Sequence, residues 1–312
     1  MKRNSLLSSA LVLVFLGLFV HYFFNHTEDF KQILSLNPIL LGVVAACFVL
    51  ALFINGLAIK ILIKPFDKHL STRDSFYVSV ISSIGNYFGP MMGGTGLRAL
   101  YLKKKVDLNY SDFASTLYGT YVITFLVSAV FGLISLALLY ESFGKTTYLW
   151  LSAFFVAITV CLVWIIISAR RAKQRKLMSR IPVIGGTLTK INTSWSKIVL
   201  HKSMITTLVR LTVINLAILM AINYTEFLLI DVNISFGSLM LYSILGSFSI
   251  LISLTPGALG IREGLFLVNG ELLGLTSAQI LLVAVIDRGV QFFVMSVSWG
   301  VISISNYLKR EK

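Results

Sequence analysis

Residues 76–102 read FYVSVISSIGNYFGPMMGGTGLRALYL, an apolar run interrupted at its centre by Gly89-Pro90-Met91-Met92-Gly93-Gly94-Thr95-Gly96. Glycine and proline are the poorest helix formers, so the centre is an unfavourable helix interior. As one straight helix the run would measure about 40 Å, against a bilayer core of roughly 30 Å. Basic residues stand on both flanks: Lys60, Lys64, Lys68 and Arg73 before it, Lys103, Lys104 and Lys105 after it. Lysine and arginine accumulate on the cytoplasmic side of membrane segments. Both ends then lie on one face, and the run is expected to dip into the membrane and return as a re-entrant hairpin.

The rest of the chain supports a membrane setting. Its 312 residues are 56% hydrophobic and only 13% charged, about half the charge of an average soluble domain. Apolar runs occur at about 6–24, 38–63, 76–102, 113–140, 148–169, 203–223, 235–254 and 277–305. The first follows Lys2 and Arg3 but is too long for a signal-peptide core and lacks a small-residue cleavage site, so it reads as a retained anchor. Of the 27 basic residues, 21 fall at the N-terminus, after the second and third runs, in the loop 170–202 and at the C-terminus. The loops 25–37, 141–147 and 224–234 hold only Lys31 and Lys145 beside Glu28, Asp29, Glu141, Glu226 and Asp231. Both termini are therefore expected to be cytoplasmic. The net charge of +14 is chiefly a topology signal, and no nucleic-acid partner is implied.

The same count makes 235–276 begin and end outside. It breaks at Thr255-Pro256-Gly257-Ala258-Leu259-Gly260, which predicts a second hairpin entering from the opposite face. The expected fold class is all-α: a polytopic membrane helical bundle of about six full spans plus two oppositely oriented re-entrant helical hairpins. A bundle of eight full spans, with Lys103–Lys105 outside, is the simpler alternative. The chain reads as a single integral membrane domain over 1–312. Its first half, about 1–169, contains hairpin 76–102; a basic cytoplasmic loop covers 170–202; the second half, 203–312, contains hairpin 235–276.

The two breaks resemble each other. Each has a proline, small residues and then Gly-aliphatic-Arg: Gly96-Leu97-Arg98 in the first, Gly260-Ile261-Arg262 in the second. Paired Gly/Pro-interrupted segments in the two halves of a membrane protein point to a transporter's midplane site. Interrupted backbone at membrane depth must line a polar cavity or be buried in protein. A half-helix starting there presents free N–H groups and a positive dipole end, and Thr95 is placed to cap the first. Arginine beside such donors suits bidentate contact with a phosphate. The candidate substrate-binding residues are Gly93, Gly94, Thr95, Gly96, Arg98, Pro256, Gly257, Gly260, Arg262, Glu263, Asp287 and Arg288. Adjacent residues on a helix point about 100° apart. Arg262-Glu263 and Asp287-Arg288 are thus expected to pair crosswise, Glu263 with Arg288. These charges read either as a structural ion-pair network or as part of a substrate path. Asp287 or Glu263 is placed to carry a proton. Arg210, near the end of its run, reads as structural.

Other signals are weaker. No P-loop exists, and Gly94-Thr95-Gly96-Leu97-Arg98-Ala99 lacks the preceding strand of a dinucleotide site, so no cofactor is expected. His21, His26, His69 and His201 are scattered near span ends, and Cys47 and Cys161 sit within apolar runs, so no metal site is expected. In the central loop, Leu188, Ile191, Trp195 and Ile198 recur at helical spacing. That pattern fits a helix lying on an anionic leaflet, or one packed on the cytoplasmic ends of the bundle.

The stretch Leu254-Thr255-Pro256-Gly257-Ala258-Leu259-Gly260-Ile261-Arg262-Glu263-Gly264, followed by Leu272-Leu273-Gly274-Leu275 and Asp287-Arg288, resembles the transmembrane region of lysylphosphatidylglycerol synthase. The same region occurs in stand-alone flippase-like membrane proteins. Pro90 to Ala99 with Tyr101-Leu102 looks like that family's first Gly-rich hairpin, and the resemblance covers nearly the whole chain. It implies a bacterial cytoplasmic-membrane protein that moves lipid headgroups, without catalytic residues. Implied partners are membrane lipids with anionic headgroups, a second copy of the chain, or enzymes of envelope-lipid synthesis. Where the family often carries a Glu-Arg pair, this chain reads Tyr118-Gly119-Thr120-Tyr121. No aminoacyl-transferring domain is seen, so no aminoacylation is expected. Competing functions are an enzyme using Glu28 and Asp29 on a lipid-linked substrate, and a scaffold for envelope-lipid synthesis.

The topology is testable by labelling single cysteines placed at Lys104 and Leu272. The paired re-entrant reading expects cytoplasmic access at the first and external access at the second; the reverse pattern rejects it.

Overall fold

The structure is a computed structural model describing residues 35–88, 93–142, 144–170, 194–195, 197–249, 258 and 260–310. Its main elements are α1 (Pro38–Leu62), α2 (Thr72–Phe88), α3 (Gly93–Val106), α4 (Tyr110–Leu138), α5 (Lys145–Arg170), α6 (Lys202–Leu229), α7 (Phe236–Phe248), α8 (Ile261–Val268), α9 (Gly270–Leu273) and α10 (Ser277–Arg310). No strand occurs among the described residues. The fold is an all-α polytopic bundle, as its apolar runs predict. Five of its helices are long and apolar enough to cross a membrane: Pro38–Phe66, Tyr110–Leu138, Thr146–Ser168, Lys202–Leu229 and Ser277–Ile302. The sixth expected span, 6–24, lies outside the described residues.

Local chemistry sets these helices. Pro38 opens α1, where its fixed φ fits and its missing N–H costs no bond, and Asn37 Oδ1 accepts from Ile39 N at 2.9 Å. Ser235 caps α7 by accepting from Ser238 N at 3.1 Å. Helix α5 is nearly bare: only 6% of its apolar window is buried, and Leu149, Trp150, Phe154, Val160 and Trp164 all face outward. Such a surface is far too apolar for water and is the natural contact for lipid.

The chain forms two compact units that interleave in sequence. One comprises Met1–Leu52, Ser79–Leu97 and Leu216–Lys312; the other comprises Phe53–Val78 and Arg98–Asn215. In the second unit, Phe155 of α5 packs directly over Gly132 of α4, a small residue that lets the helices approach. Residues 194–195 and 197–200 are helical, with Trp195, Ile198 and Val199 almost fully buried. Trp195 lies over Gly119 and meets the Tyr118 ring edge-on at 5.3 Å, and Ser194 Oγ donates to Asp112 Oδ1 at 2.7 Å. Of the two readings of this amphipathic segment, packing on the bundle is the one observed at these residues; Leu188 and Ile191 lie outside the described ones.

The two broken runs are antiparallel helix pairs. In the first, α2 and α3 flank the break at 89–92, and each is shorter than a bilayer core: about 25 Å and 21 Å. In one unit Gly85 and Gly94 bring their backbones together, and Gly94 N donates to Asn86 Oδ1 at 3.0 Å. In the other unit Asp74 accepts from Tyr101 Oη at 3.1 Å and from Ser71 Oγ at 2.8 Å, and pairs with Lys105 Nζ at 3.2 Å. Burial alone would lift the Asp74 carboxyl; the hydrogen bonds from Ser71, Lys105 and Tyr101 outweigh it and hold it below the usual carboxylate value. In the second pair, α7 returns through α8, with Tyr242 stacked on Phe266 at 3.9 Å and Gly246 beside Arg262.

Helix α6 continues past the expected end of its span at 223. Asn223 donates to Ser243 Oγ at 2.8 Å, Thr225 Oγ1 donates to its own helix at Ala221 O, and Glu226 is fully buried. Glu226, which read as part of an external loop, is instead enclosed within the protein.

A Cβ on Gly94 would fall well inside contact with the Ser82 carbonyl oxygen, whereas one on Gly96 would meet nothing. Gly94→Ala is expected to destabilise the purified protein by about 1–3 kcal/mol, the usual cost of overpacking. Gly96→Ala should be neutral or slightly stabilising in the same thermal melts. Equal melting temperatures for the two variants would reject the seam.

Candidate functional site

The charges within the first unit gather where α8 meets α10. Gly260 caps the start of α8, with a φ of 79° that glycine adopts readily. This turn sets Arg262 and Glu263 in the first helical turn. Glu263 reaches back to accept from Gly260 N at 2.8 Å, a carboxylate satisfying an otherwise bare N–H at the positive end of the helix. On α10, Asp287 and Arg288 are neighbours. The four side chains pair crosswise: Arg262 Nη1 with Asp287 Oδ2 at 2.7 Å, and Arg288 Nη2 with Glu263 Oε1 at 3.0 Å. Gln291, one turn along α10, donates to both Asp287 oxygens at 3.0 Å. The carboxylates are almost completely enclosed, while the arginine side chains keep 16% and 14% exposure. Buried charge is tolerated here because each ion has a partner and each carboxylate has a second donor.

Three residues extend this constellation. Tyr87, at the end of α2 just before the first break, donates to Arg288 O at 3.3 Å and lies beside Phe292. Tyr242 on α7 and Glu226 on α6 face the Arg262–Asp287 pair. The Arg262 guanidinium also lies 5.5 Å from the Phe266 ring centroid.

The remaining expected site residues fall as follows. Gly93, Gly94, Thr95 and Gly96 form the first turn of α3. Thr95 is its third residue, so the cap position precedes Gly93 and lies outside the described residues. The first-turn N–H of Gly94 is instead satisfied by the Asn86 side chain. Both half-helix starts thus already have one N–H occupied by the chain's own side chains. Arg98, on α3 in the second unit, lies over the Phe113 ring at 5.7 Å, and its Nε is buried without a hydrogen-bond partner. No ion pair joins Arg98 to an acid among the described residues. Pro256 and Gly257 lie outside the described residues, as do Glu28 and Asp29. No cluster of three or more metal-ligating side chains occurs among the described residues.

The family model of the lysylphosphatidylglycerol synthase TM region matches residues 5–298. The chain belongs to this family. No curated protein and no solved structure matches it. Membership in the lysylphosphatidylglycerol synthase TM-region family, with the five apolar helices, makes this a multi-pass membrane protein linked to lipid or envelope metabolism. At Tyr118-Gly119-Thr120-Tyr121, where the chain departs from the family's frequent Glu-Arg pair, a Cβ on Gly119 would stand 2.6 Å from the Trp195 indole. A charged side chain has no room there while Trp195 is in place.

Sequence reasoning found the crossed pairing but missed Glu226, Asn86, Tyr87 and Gln291. Gln291 carried a readable signal, since i and i+4 residues share a helix face. Contacts from Glu226 and Tyr87 join elements far apart in sequence and leave no such trace.

The crossed pairs invite a double-mutant cycle. Glu263→Gln and Arg288→Gln are each expected to destabilise by about 3–5 kcal/mol, because each strands a buried charge. The double variant should recover part of that loss. Additive losses in detergent-solubilised protein would show that the two side chains do not interact.

Proposed function

We propose that this protein is a lipid translocase that passes the anionic headgroup of a phospholipid or lipid-linked glycan across the bacterial cytoplasmic membrane. The observation that carries the reading is the set of paired charges held where the half-helix α8 begins against α10, in a protein whose spans turn apolar side chains outward. A purely structural bundle gains little from buried ion pairs, since well-packed apolar residues of similar volume are often as stabilising. A path for a charged headgroup requires polar groups at depth, and intramembrane ionisable residues commonly mark such paths.

In this reading Arg98 and Arg262 are the headgroup clamps. Arg98 offers a guanidinium not neutralised by an acid among the described residues, and Arg262 exchanges Asp287 for the headgroup phosphate. Arg288 stays on Glu263 and holds α8 against α10. The acyl tails remain in lipid. Both termini are cytoplasmic, the two hairpins enter from opposite faces, and the protein is a transporter with no catalytic step of its own. A second copy of the chain and envelope-lipid enzymes are the expected protein partners.

Reconstitution into liposomes with fluorescent anionic lipid tests the proposal by dithionite quenching. Wild-type protein should accelerate translocation, and an Arg98→Ala, Arg262→Ala double variant should lose at least about tenfold of that rate, as expected when charge-assisted bidentate contacts are removed. Normal translocation by a folded double variant would overturn the clamp.

A further inference from the structure

The charges in the first unit do not balance. Arg262 and Arg288 face three carboxyl groups: Glu263, Asp287 and Glu226. Two of these are matched by the crossed pairs. The third, Glu226 on α6, is 0% exposed, and both of its carboxyl oxygens lack a hydrogen-bond partner. Its neighbours are the Asp287 carboxyl from α10, within hydrogen-bonding reach, Arg262 from α8, and the Tyr242 phenol from α7. Asp287 in turn faces Arg262, Gln291 and Glu226, and its charge also acts on Tyr87 and Tyr242.

Two ionised carboxylates have no hydrogen bond to offer each other. An ionised Glu226 would place an unsolvated negative charge against Asp287, whose own positive partner is already engaged. With a proton on Glu226, the neutral acid donates its O–H to Asp287, the unpartnered oxygen becomes a donor, and the five side chains sum to zero charge. Like charges sharing a buried site favour this one-proton state.

We infer that Glu226 and Asp287 form a proton-binding carboxyl pair, with Glu226 protonated in this structure and Asp287 taking up a second proton from solvent when an anionic headgroup draws Arg262 away. The second step rests on the translocase reading above. Its balance is simple: the headgroup anion replaces Asp287 on Arg262, Asp287 gains one proton, and cluster plus ligand stay neutral. By linkage, anion and proton then favour each other's binding. The pair is thereby a device for coupling lipid movement to a proton gradient.

Infrared spectroscopy on the purified full chain tests the resident proton. A carbonyl band of a protonated carboxylic acid is expected at neutral pH, lost in Glu226→Gln and retained in Glu141→Gln. Glu226→Gln copies the shape and donor capacity of the neutral acid, so its melting temperature should match wild type, whereas Glu226→Ala should melt lower. Absence of the band, or its persistence in Glu226→Gln, overturns the proton site. For the second step, short-chain phosphatidylglycerol is added to the same protein in weak buffer with a pH-indicator dye. About one proton taken up per lipid bound is expected for wild type, and none for Asp287→Asn. Lipid binding without proton uptake overturns the coupling. If the lipid fails to bind, the translocase reading fails and the coupling with it, while the infrared band still decides the resident proton on its own.

Discussion

An ion removed from water needs a partner of opposite sign, and the contact between α8 and α10 is arranged around that requirement. Arg262 and Glu263 leave the start of α8 in different directions, as do Asp287 and Arg288 on α10, so neighbours in sequence cannot neutralise each other. They reach across instead, and the two crossed bonds join the short α8 to the long α10. Helix α8 has only eight residues, too few to be stable alone. Its position depends on these bonds, on the stack of Phe266 against Tyr242, and on Glu263 folding back over Gly260. The Glu263–Arg288 bond, the ring stack and the folded-back carboxylate together place a helix that propensity alone would not hold.

A second constraint shapes both breaks: backbone donors cannot be left bare away from water. At α8 the remedy is local, a carboxylate three residues on. At α3 it comes from the preceding helix, through Asn86. One problem is solved by two chemistries, a charged acceptor in one case and a neutral amide in the other. The two hairpins, alike in sequence, therefore differ electrostatically: the start of α8 carries its own negative charge and the start of α3 does not.

Much of this was legible in the sequence. Span positions followed from apolar run length, the break between α2 and α3 from a Gly/Pro cluster within a run too long for one straight crossing, and the Glu263–Arg288 pair from helical angles. Misreadings arose where polarity had two explanations. Tyr224-Thr225-Glu226 looked like the start of a loop because polar residues usually mark the water boundary. In the folded chain Asn223 and Glu226 are polar for the sake of Ser243 and the arginine–aspartate cluster. The Gly119 vacancy was visible only as a departure from a pattern, and its filler, Trp195, lies 76 residues away. Pairings of that separation have no periodicity to betray them.

The seam between Gly85 and Gly94 has a consequence of a different kind. Contacts between side chains can be shared among several rotamers, which gives most helix interfaces some freedom to slide and repack. Here main chain meets main chain, with a peptide oxygen of Ser82 lying where any larger residue would place its β-carbon. Such a joint loses no side-chain entropy on forming and has no alternative packing to visit. The tip of the first hairpin is accordingly indexed at one register, and any excursion must carry both strands of the hairpin together as one piece.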